Sequence, residues 1–259
     1  MSSFFPLLLL LASTPTQTTN AIIDRSVEAN AIDFKAQSDY SYLQTEKEGD
    51  NPSKTYEVSM MLGSPYRRLV ATDGQSLPPE AQNRELRNMQ QALARRKKES
   101  KQEREDRVSK YRTEKQQENL MMAEMTKAFN FRLLGTESLR GHEVYVFDAV
   151  RNPDYKPINS KAKVLTGMRG KLWIDVRTYH WVKVEAEVID PVSIEGFLAR
   201  VNPGTKFTLD KEPVEDNVWL PTYFSVQVNS KILGLFSHNS SEQDTFSHYR
   251  RSAEVAHLE

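Results

Sequence analysis

The chain contains no cysteine among its 259 residues. A disulfide framework, a thiolate nucleophile and a cysteine-ligated metal are therefore excluded. An excess of charge of either sign is also missing, because 35 basic and 35 acidic residues give a formal net charge of +0. Proteins that bind nucleic acid or an anionic membrane through their overall field are usually basic. The sequence therefore predicts no nucleic-acid partner.

Catalytic and cofactor-binding motifs are missing as well. The sequence has no G-x-S-x-G elbow, no phosphate-binding glycine loop, no dinucleotide-binding glycine turn and no H-E-x-x-H pair. Its 5 histidines do not have the spacing of metal ligands. We therefore expect a non-enzymatic protein without a metal site or a cofactor.

Long apolar runs are scarce, and the one at residues 1–12 is too short to span a bilayer, which takes about 20 residues. It has the length of the apolar core of a signal peptide, and Thr19 and Ala21 are small residues before a cleavage point. The first basic residue, however, is Arg25, after the apolar run. We predict a signal peptide at 1–21 and a periplasmic location; the alternative is a frayed or partly buried tail.

Short alternating segments make up most of the remaining chain. Two of them, 170–176 and 181–189, lie back to back, and each alternates apolar with polar residues, which predicts strands with one apolar face and one face in water. Further runs between turn signals predict strands within 32–72 and at 130–134, 143–150, 207–209, 218–228 and 241–249. Without a β-α-β alternation, this pattern predicts an α+β fold with a curved antiparallel sheet.

One long segment interrupts the strands. No glycine or proline occurs between Pro79 and Gly135, which predicts a long charged helix inserted at 78–128. Of the 25 residues from 95 to 119, 16 are charged, and apolar residues are frequent only toward the two ends of the segment. Two arrangements fit this pattern: a helix docked at both ends with a solvated middle, or a helical hairpin with a loop at 107–113.

Two apolar stretches do not alternate. Residues 191–201 have a spacing close to helical, and residues 232–236 suit the tip of a hairpin. Phe197 and Leu198 in the first stretch are candidates for a cover over an apolar cavity. The alternative is that both stretches pack on the sheet as ordinary core.

Three motifs carry a resemblance to a known family. They are Met168-Arg-Gly-Lys-Leu-Trp-Ile-Asp175, Trp181-Val-Lys-Val-Glu185 and Asn217-Val-Trp-Leu-Pro221. The chain resembles the outer-membrane lipoprotein-sorting (LolA/LppX-like) superfamily of periplasmic proteins, in a bacterial branch other than the lipoprotein carrier, which has no charged helix of this length. The resemblance implies an incomplete, half-open antiparallel β-barrel with covering helices over 22–259, and carriage of acyl chains.

An open barrel leaves an apolar hollow, where burying an acyl chain yields about 0.8 kcal/mol per methylene. Ten residues are the candidates for binding the acyl chains of a lipid or lipoprotein: Leu172, Ile174, Val182, Val184, Ala186, Phe197, Leu198, Phe224, Val226 and Val228. The alternative is that they form a closed core. Two functions remain open, a lipid or lipoprotein carrier and an envelope scaffold that contacts a protein partner through the charged helix at 95–119.

Overall fold

The computed structural model describes residues 18–194, 199–215, 217–232 and 236–252, so most of the predicted signal peptide lies outside the described residues. Within these ranges the helices are α1 (Thr19–Ala36), α2 (Pro79–Lys97) and α3 (Lys101–Ala128). The strands are β1 (Tyr40–Glu48), β2 (Lys54–Met61), β3 (Ser64–Thr72), β4 (Gln75–Ser76), β5 (Phe129–Leu139), β6 (His142–Arg151), β7 (Met168–Asp175), β8 (Trp181–Val188), β9 (Val192–Ile194), β10 (Ala199–Val201), β11 (Lys206–Glu215), β12 (Val218–Ile232) and β13 (Phe236–Arg251).

All these strands belong to one antiparallel sheet. Its order is β4-β3-β2-β1-β13-β12-β11-β8-β7-β6-β5, while β10 pairs with β12 and β9 pairs with β10. The end strands β4 and β5 do not pair with each other, so the sheet is not closed into a barrel. The predicted fold class, α+β with an incomplete antiparallel barrel and covering helices, is confirmed.

The helix α1 occupies a region where the sequence suggested only a leader and then strands from residue 32. Its N-terminus is capped, because the Thr18 hydroxyl accepts a hydrogen bond from the Ala21 amide at 3.3 Å. Ile22 and Ile23 on this helix are buried against Phe147 and Trp181 of the sheet. We call the face of the sheet that α1 covers the inner face, and the opposite face the outer face.

The inserted segment is divided into two helices at residues 98–100. Ser100 and Glu103 form a capping box: the Ser100 hydroxyl accepts from the Glu103 amide at 3.2 Å, and the Glu103 carboxylate accepts from the Ser100 amide at 2.8 Å. The loop that a hairpin would need at 107–113 is absent, since α3 is continuous from Lys101 to Ala128. The capping box starts a new helix in the middle of the charged segment.

The junction of α2 and α3 is anchored on the turn between β2 and β3. The Arg96 guanidinium donates to the carbonyls of Met61 at 2.7 Å and Ser64 at 2.9 Å. The Arg107 guanidinium donates to the Ser64 hydroxyl at 2.7 Å. Gly63 is in the left-handed region at φ +93°, and a Cβ there would lie 3.0 Å from Val108. The middle of the charged segment therefore contacts the β2–β3 turn and is not fully solvated.

Helix α3 continues from this junction directly into the edge strand β5. With 28 residues, it is about 42 Å long at 1.5 Å per residue. Met122 and Met125 near its C-terminal end pack on the core beneath α1. Because β3 and β5 lie toward opposite ends of the sheet, α3 spans the open side of the incomplete barrel.

The described residues of the stretch at 191–201 do not form the predicted helix; they form β9 and β10, which pair with each other. A short apolar run of this kind does not distinguish a helix from short strands, so the pattern was ambiguous. Phe197 and Leu198, the predicted cover residues, lie outside the described residues, as do residues 233–235 of the second apolar stretch.

Candidate functional site: the inner face of the sheet

Antiparallel pairing arranges the inner-face side chains in rows that run across the strands, because residues directly opposite each other point to the same face. One row consists of Phe147, Leu172, Val184, Leu209, Phe224, Asp244 and Glu46. The next row consists of Ala149, Gly170, Ala186, Phe207, Val226, Glu242 and Glu48. Both rows change from apolar to acidic between β12 and β13.

The protein's own side chains fill the β6–β7 part of the inner face. Leu172 is 4% exposed and Ile174 is 0% exposed. Both pack in one cluster with Ile22 of α1 and Phe147 of β6. These two predicted lining residues are therefore core residues beneath α1.

Further along the rows, the apolar side chains are only half-buried. We call them the apolar strip: Val184, Ala186, Phe207, Leu209, Phe224, Val226 and Val228. The strip lies on three adjacent strands, β8, β11 and β12. Helix α1 does not seal this part of the sheet as it seals Leu172 and Ile174. Five of the predicted lining residues thus lie together on a partly uncovered apolar surface.

A small apolar pocket continues the strip beneath the C-terminal end of α3. Its volume is about 40 Å³, and Val184 and Ala186 form part of its wall. The other apolar wall residues include Met125, Phe129 and Phe131. A pocket of this volume has room for about three water-sized groups. An apolar ligand of any length would therefore have to lie mainly along the strip.

Val182 lies on the outer face, in contrast to the prediction. A bulge in the β7–β8 pairing sets Trp173 opposite Lys183 but Ile174 opposite Trp181, so Val182 is the extra residue. It is buried with Trp173 and Trp219 in a separate cluster. The expectation that the polar face of this hairpin meets water is wrong at Trp173, which is 8% exposed.

Two lining residues were missed from the sequence, Phe207 and Leu209. They alternate with Thr208 and Asp210 just as the predicted lining residues of β8 and β12 alternate with polar residues, but the run is short. The structure places them between the predicted positions, because β11 pairs with both β8 and β12.

Helix α1 is held on the inner face by a buried polar cluster. The Asp33 carboxylate forms an ion pair with Lys211, accepts from the Trp219 amide at 2.8 Å and lies 3.2 Å from His180 Nε2. The Lys211 ammonium also donates to the Asn30 side chain at 2.8 Å. Burial lowers the pKa of Lys211, and the Asp33 carboxylate opposes this effect. The pair fixes α1, and with it the boundary of the uncovered strip.

The rows end in acidic residues on β13 and β1, which we call the acidic end: Glu46, Glu48, Glu242 and Asp244. Glu46 forms an ion pair with Arg67 of β3. Burial raises the pKa of Asp244 to about 6, a hydrogen bond from Gln44 opposes the rise, and the neighbouring carboxylates of Glu46 and Glu242 add to it. The Asp244 side chain therefore retains a proton at a higher pH than an exposed aspartate.

The outer face of β7, β8 and β11 carries charged side chains. Arg169 pairs with Glu187 at 3.3 Å, and Lys183 pairs with Glu185 at 2.5 Å. A groove of about 470 Å³ lies over these strands, and its lining carries charges of both signs, including Lys171 and Lys206. Such a surface is unsuited to an apolar ligand, which leaves the inner face as the candidate site.

Neither a metal site nor a membrane span is found in the part of the chain that the structure describes. No group of three or more histidine, aspartate or glutamate side chains there could hold a metal ion. None of the described helices is both long and apolar enough to cross a bilayer.

No family model matches the chain, and no curated protein matches it. Solved structures do. An outer membrane lipoprotein-sorting protein domain from Vibrio parahaemolyticus is 13% identical, with 90% of this chain and 95% of that chain covered and a TM-score of 0.33. A LolA superfamily protein from Nitrosomonas europaea is 11% identical over 90% and 93%, with a TM-score of 0.34. A DUF1329 family protein from Desulfovibrio piger is 13% identical over 93% and 96%, also with a TM-score of 0.34.

Proposed function

We propose that the protein binds the acyl chains of a lipid or lipoprotein on the inner face of its open sheet, without catalysis, and carries them in the periplasm. The observation that supports this proposal is the apolar strip. Seven apolar side chains on adjacent strands share one face and stay half-buried, although α1 and α3 are available to cover that face.

The energetics favour an apolar guest at this place. Transfer of apolar surface out of water yields about 25 cal/mol per Å², or about 0.8 kcal/mol per methylene. The pocket next to the strip is bordered by Met125, and methionine adapts its shape to irregular guests because its side chain is unbranched. An acyl chain that begins in the pocket and continues along the strip gains this free energy without displacing the buried core.

The test compares the uptake of a fatty acid by two variants, one with a charge placed in the strip and one with the same charge on the outer face. Leu209→Asp sets a carboxylate among the half-buried side chains, whereas Thr208→Asp sets it on the outer face, opposite Glu185. We expect saturable uptake of a fluorescent fatty acid by the unmodified protein and co-purified lipid in native mass spectra. Leu209→Asp should weaken uptake about ten-fold or more, since a buried charge is costly, and Thr208→Asp should change it less than about two-fold.

Absence of both co-purified lipid and fatty-acid uptake from the unmodified protein would refute the proposal. Equal losses in the two variants would also refute it, because the inner face would then have no special role. If Leu209→Asp fails to fold by circular dichroism, Val226→Asp places the charge at another half-buried position of the same strip.

A second candidate function is supported by the charge at the junction of α2 and α3. Between residues 95 and 112 the sequence has nine basic and four acidic residues, and of the basic residues Arg96 and Arg107 face the β2–β3 turn. The others leave a positive surface suited to an acidic protein partner in the envelope. Reversing Lys97, Lys98 and Lys101 to glutamate should then abolish capture of that partner while leaving fatty-acid uptake unchanged.

A further inference from the structure

Two carboxylates stand where the apolar strip meets the acidic end, the exposed Glu242 opposite Val226 and the buried Asp244. Asp244 lies directly opposite Phe224 on one side and Glu46 on the other. It is 7% exposed. Its Oδ1 atom has no hydrogen-bond partner among the described residues, and the side chain forms no ion pair among them. A buried acceptor in this state costs free energy that a donor from a ligand would recover.

The charged groups that act on Asp244 do not supply that donor. Glu46 on β1 and Glu242 on the same strand are acidic and repel it. Arg67 on β3 attracts it, but its guanidinium is engaged with Glu46 and lies over the Tyr56 ring at 4.1 Å. The surroundings of Asp244 are therefore acidic, and Arg67, the cation that acts on it, is already paired.

We propose that the ligand of the inner face is an amphiphile with a cationic head group, whose chain lies on the apolar strip and whose head group donates to Asp244. This inference rests on the proposed function and specifies the class of lipid that it concerns. The rows of the sheet place an apolar surface and a partly unsatisfied carboxylate next to each other, which is the arrangement that a protonated amine on an alkyl chain complements.

The experiment compares three ligands of equal chain length: decylammonium, decanol and decanoate. Each displaces a neutral apolar dye from the protein at about pH 7.5, well below its micelle concentration. We expect decylammonium to bind about ten-fold tighter than decanoate, with decanol between them. Asp244→Asn should bring the three affinities within about two-fold of one another and leave that of decanol unchanged, since asparagine keeps the shape and removes the charge.

The matched control is Glu242→Gln, which removes an exposed carboxylate from the same face of the same strand. It should preserve most of the preference for the amine, because an exposed charge is screened by water and salt. The preference for decylammonium over decanol, neither of which titrates between about pH 5 and 7.5, should also fall at about pH 5 in the unmodified protein, where Asp244 is protonated, and stay constant in Asp244→Asn. Glu46, Glu242 and Arg67 are the other charged groups facing this carboxyl.

The outcomes separate the inference from the function on which it rests. Equal binding of all three ligands by the unmodified protein would overturn the inference and leave acyl binding intact. No binding of any of them would overturn acyl binding, and the inference with it. An equal effect of Glu242→Gln and Asp244→Asn would also overturn the inference, because the preference would then come from the general field and not from contact with Asp244.

Discussion

The apolar strip and the acidic end lie on the same face of the same sheet, yet one consists of apolar side chains and the other of carboxylates. Val184, Leu209 and Phe224 occupy successive strands of one row, and the next two positions in that row are Asp244 and Glu46. The backbone pairing is continuous across this change. The comparison therefore shows that the register of the sheet decides which residues share a surface, whereas the choice of residue on each strand decides what that surface can hold.

Helices α1 and α3 also differ in how they are held. Helix α1 packs through Ile22 and Ile23 on the core next to the apolar strip and leaves the strip itself half-buried. The N-terminal half of α3 is anchored instead on the turn between β2 and β3, through Arg107 and Val108. Apolar packing and a buried ion pair hold α1, whereas mainly polar contacts hold the N-terminal half of α3, so loss of a single contact should have different consequences in the two helices.

The largest effect on stability is expected when α1 loses the buried ion pair between Asp33 and Lys211. Asp33→Ala leaves the Lys211 ammonium buried without its ion pair, and we expect a loss of about 3–5 kcal/mol in the free energy of unfolding. Urea unfolding followed by circular dichroism measures this change. Asp24→Ala, an exposed aspartate on the same helix, should change it by less than about 0.5 kcal/mol. Similar losses in both variants would show that the anchor is not the cause.

A smaller effect is expected when the N-terminal half of α3 loses its anchor. Arg107→Ala removes hydrogen bonds to Glu99, Ser64 and Leu62, which we expect to cost about 1–2 kcal/mol. Because these contacts hold only the N-terminal half of α3, amide exchange should become faster at 101–115 and stay unchanged at 121–128. The exposed Lys110→Ala on the same helix should change neither. Uniformly faster exchange along α3 would contradict this division of the helix.

The smallest effect is a pH dependence at the boundary between the two parts. The pKa of Asp244 is about 6 in the folded protein and about 3.9 in an unfolded chain. The folded state therefore binds the proton more tightly, so this group stabilises the protein at low pH and loses that contribution as the pH rises through 6. Without ligand, Asp244→Asn should be more stable by about 1 kcal/mol near neutral pH, allowing for solvent screening, which raises the Tm by about 2–4 °C.

Thermal melts between about pH 4 and 8 measure this difference, which should shrink as the pH approaches 4. Glu242→Gln provides the comparison, because the same substitution at an exposed position should have little effect at any pH. A stability gain in Asp244→Asn that does not vary with pH would contradict the prediction.

The strands were predictable from the sequence where one face was apolar and the other polar. The pairs 170–176 and 181–189 correspond closely to β7 and β8. The alternation could not reveal the bulge that turns Val182 to the outer face, because a bulge is a property of the pairing between two strands and leaves no mark in either one alone. The motif resemblance supplied the open barrel, which alternation does not distinguish from a flat sheet.

The helices were predicted less well, for two different reasons. The capping signal Ser100-x-x-Glu103 was present in the sequence and marks the start of α3, but the surrounding charges concealed it. Helix α1 begins at Thr19, within the signal peptide predicted at 1–21, so no separate feature of the sequence indicated a helix there. At the acidic end, Glu242 and Asp244 alternate with Gln243 and Thr245, so both faces of β13 are polar and the pattern cannot indicate which one lies inside.

The rows of the inner face have a consequence for selectivity by length. From Val184, where the uncovered part of the row begins, to Asp244 the row crosses four neighbouring strands, and at about 4.8 Å between strands this is about 14 Å along the sheet. Main-chain hydrogen bonds maintain that spacing, and no side-chain substitution alters it. The number of strands between the apolar strip and the carboxylate therefore sets the length of ligand that can contact both.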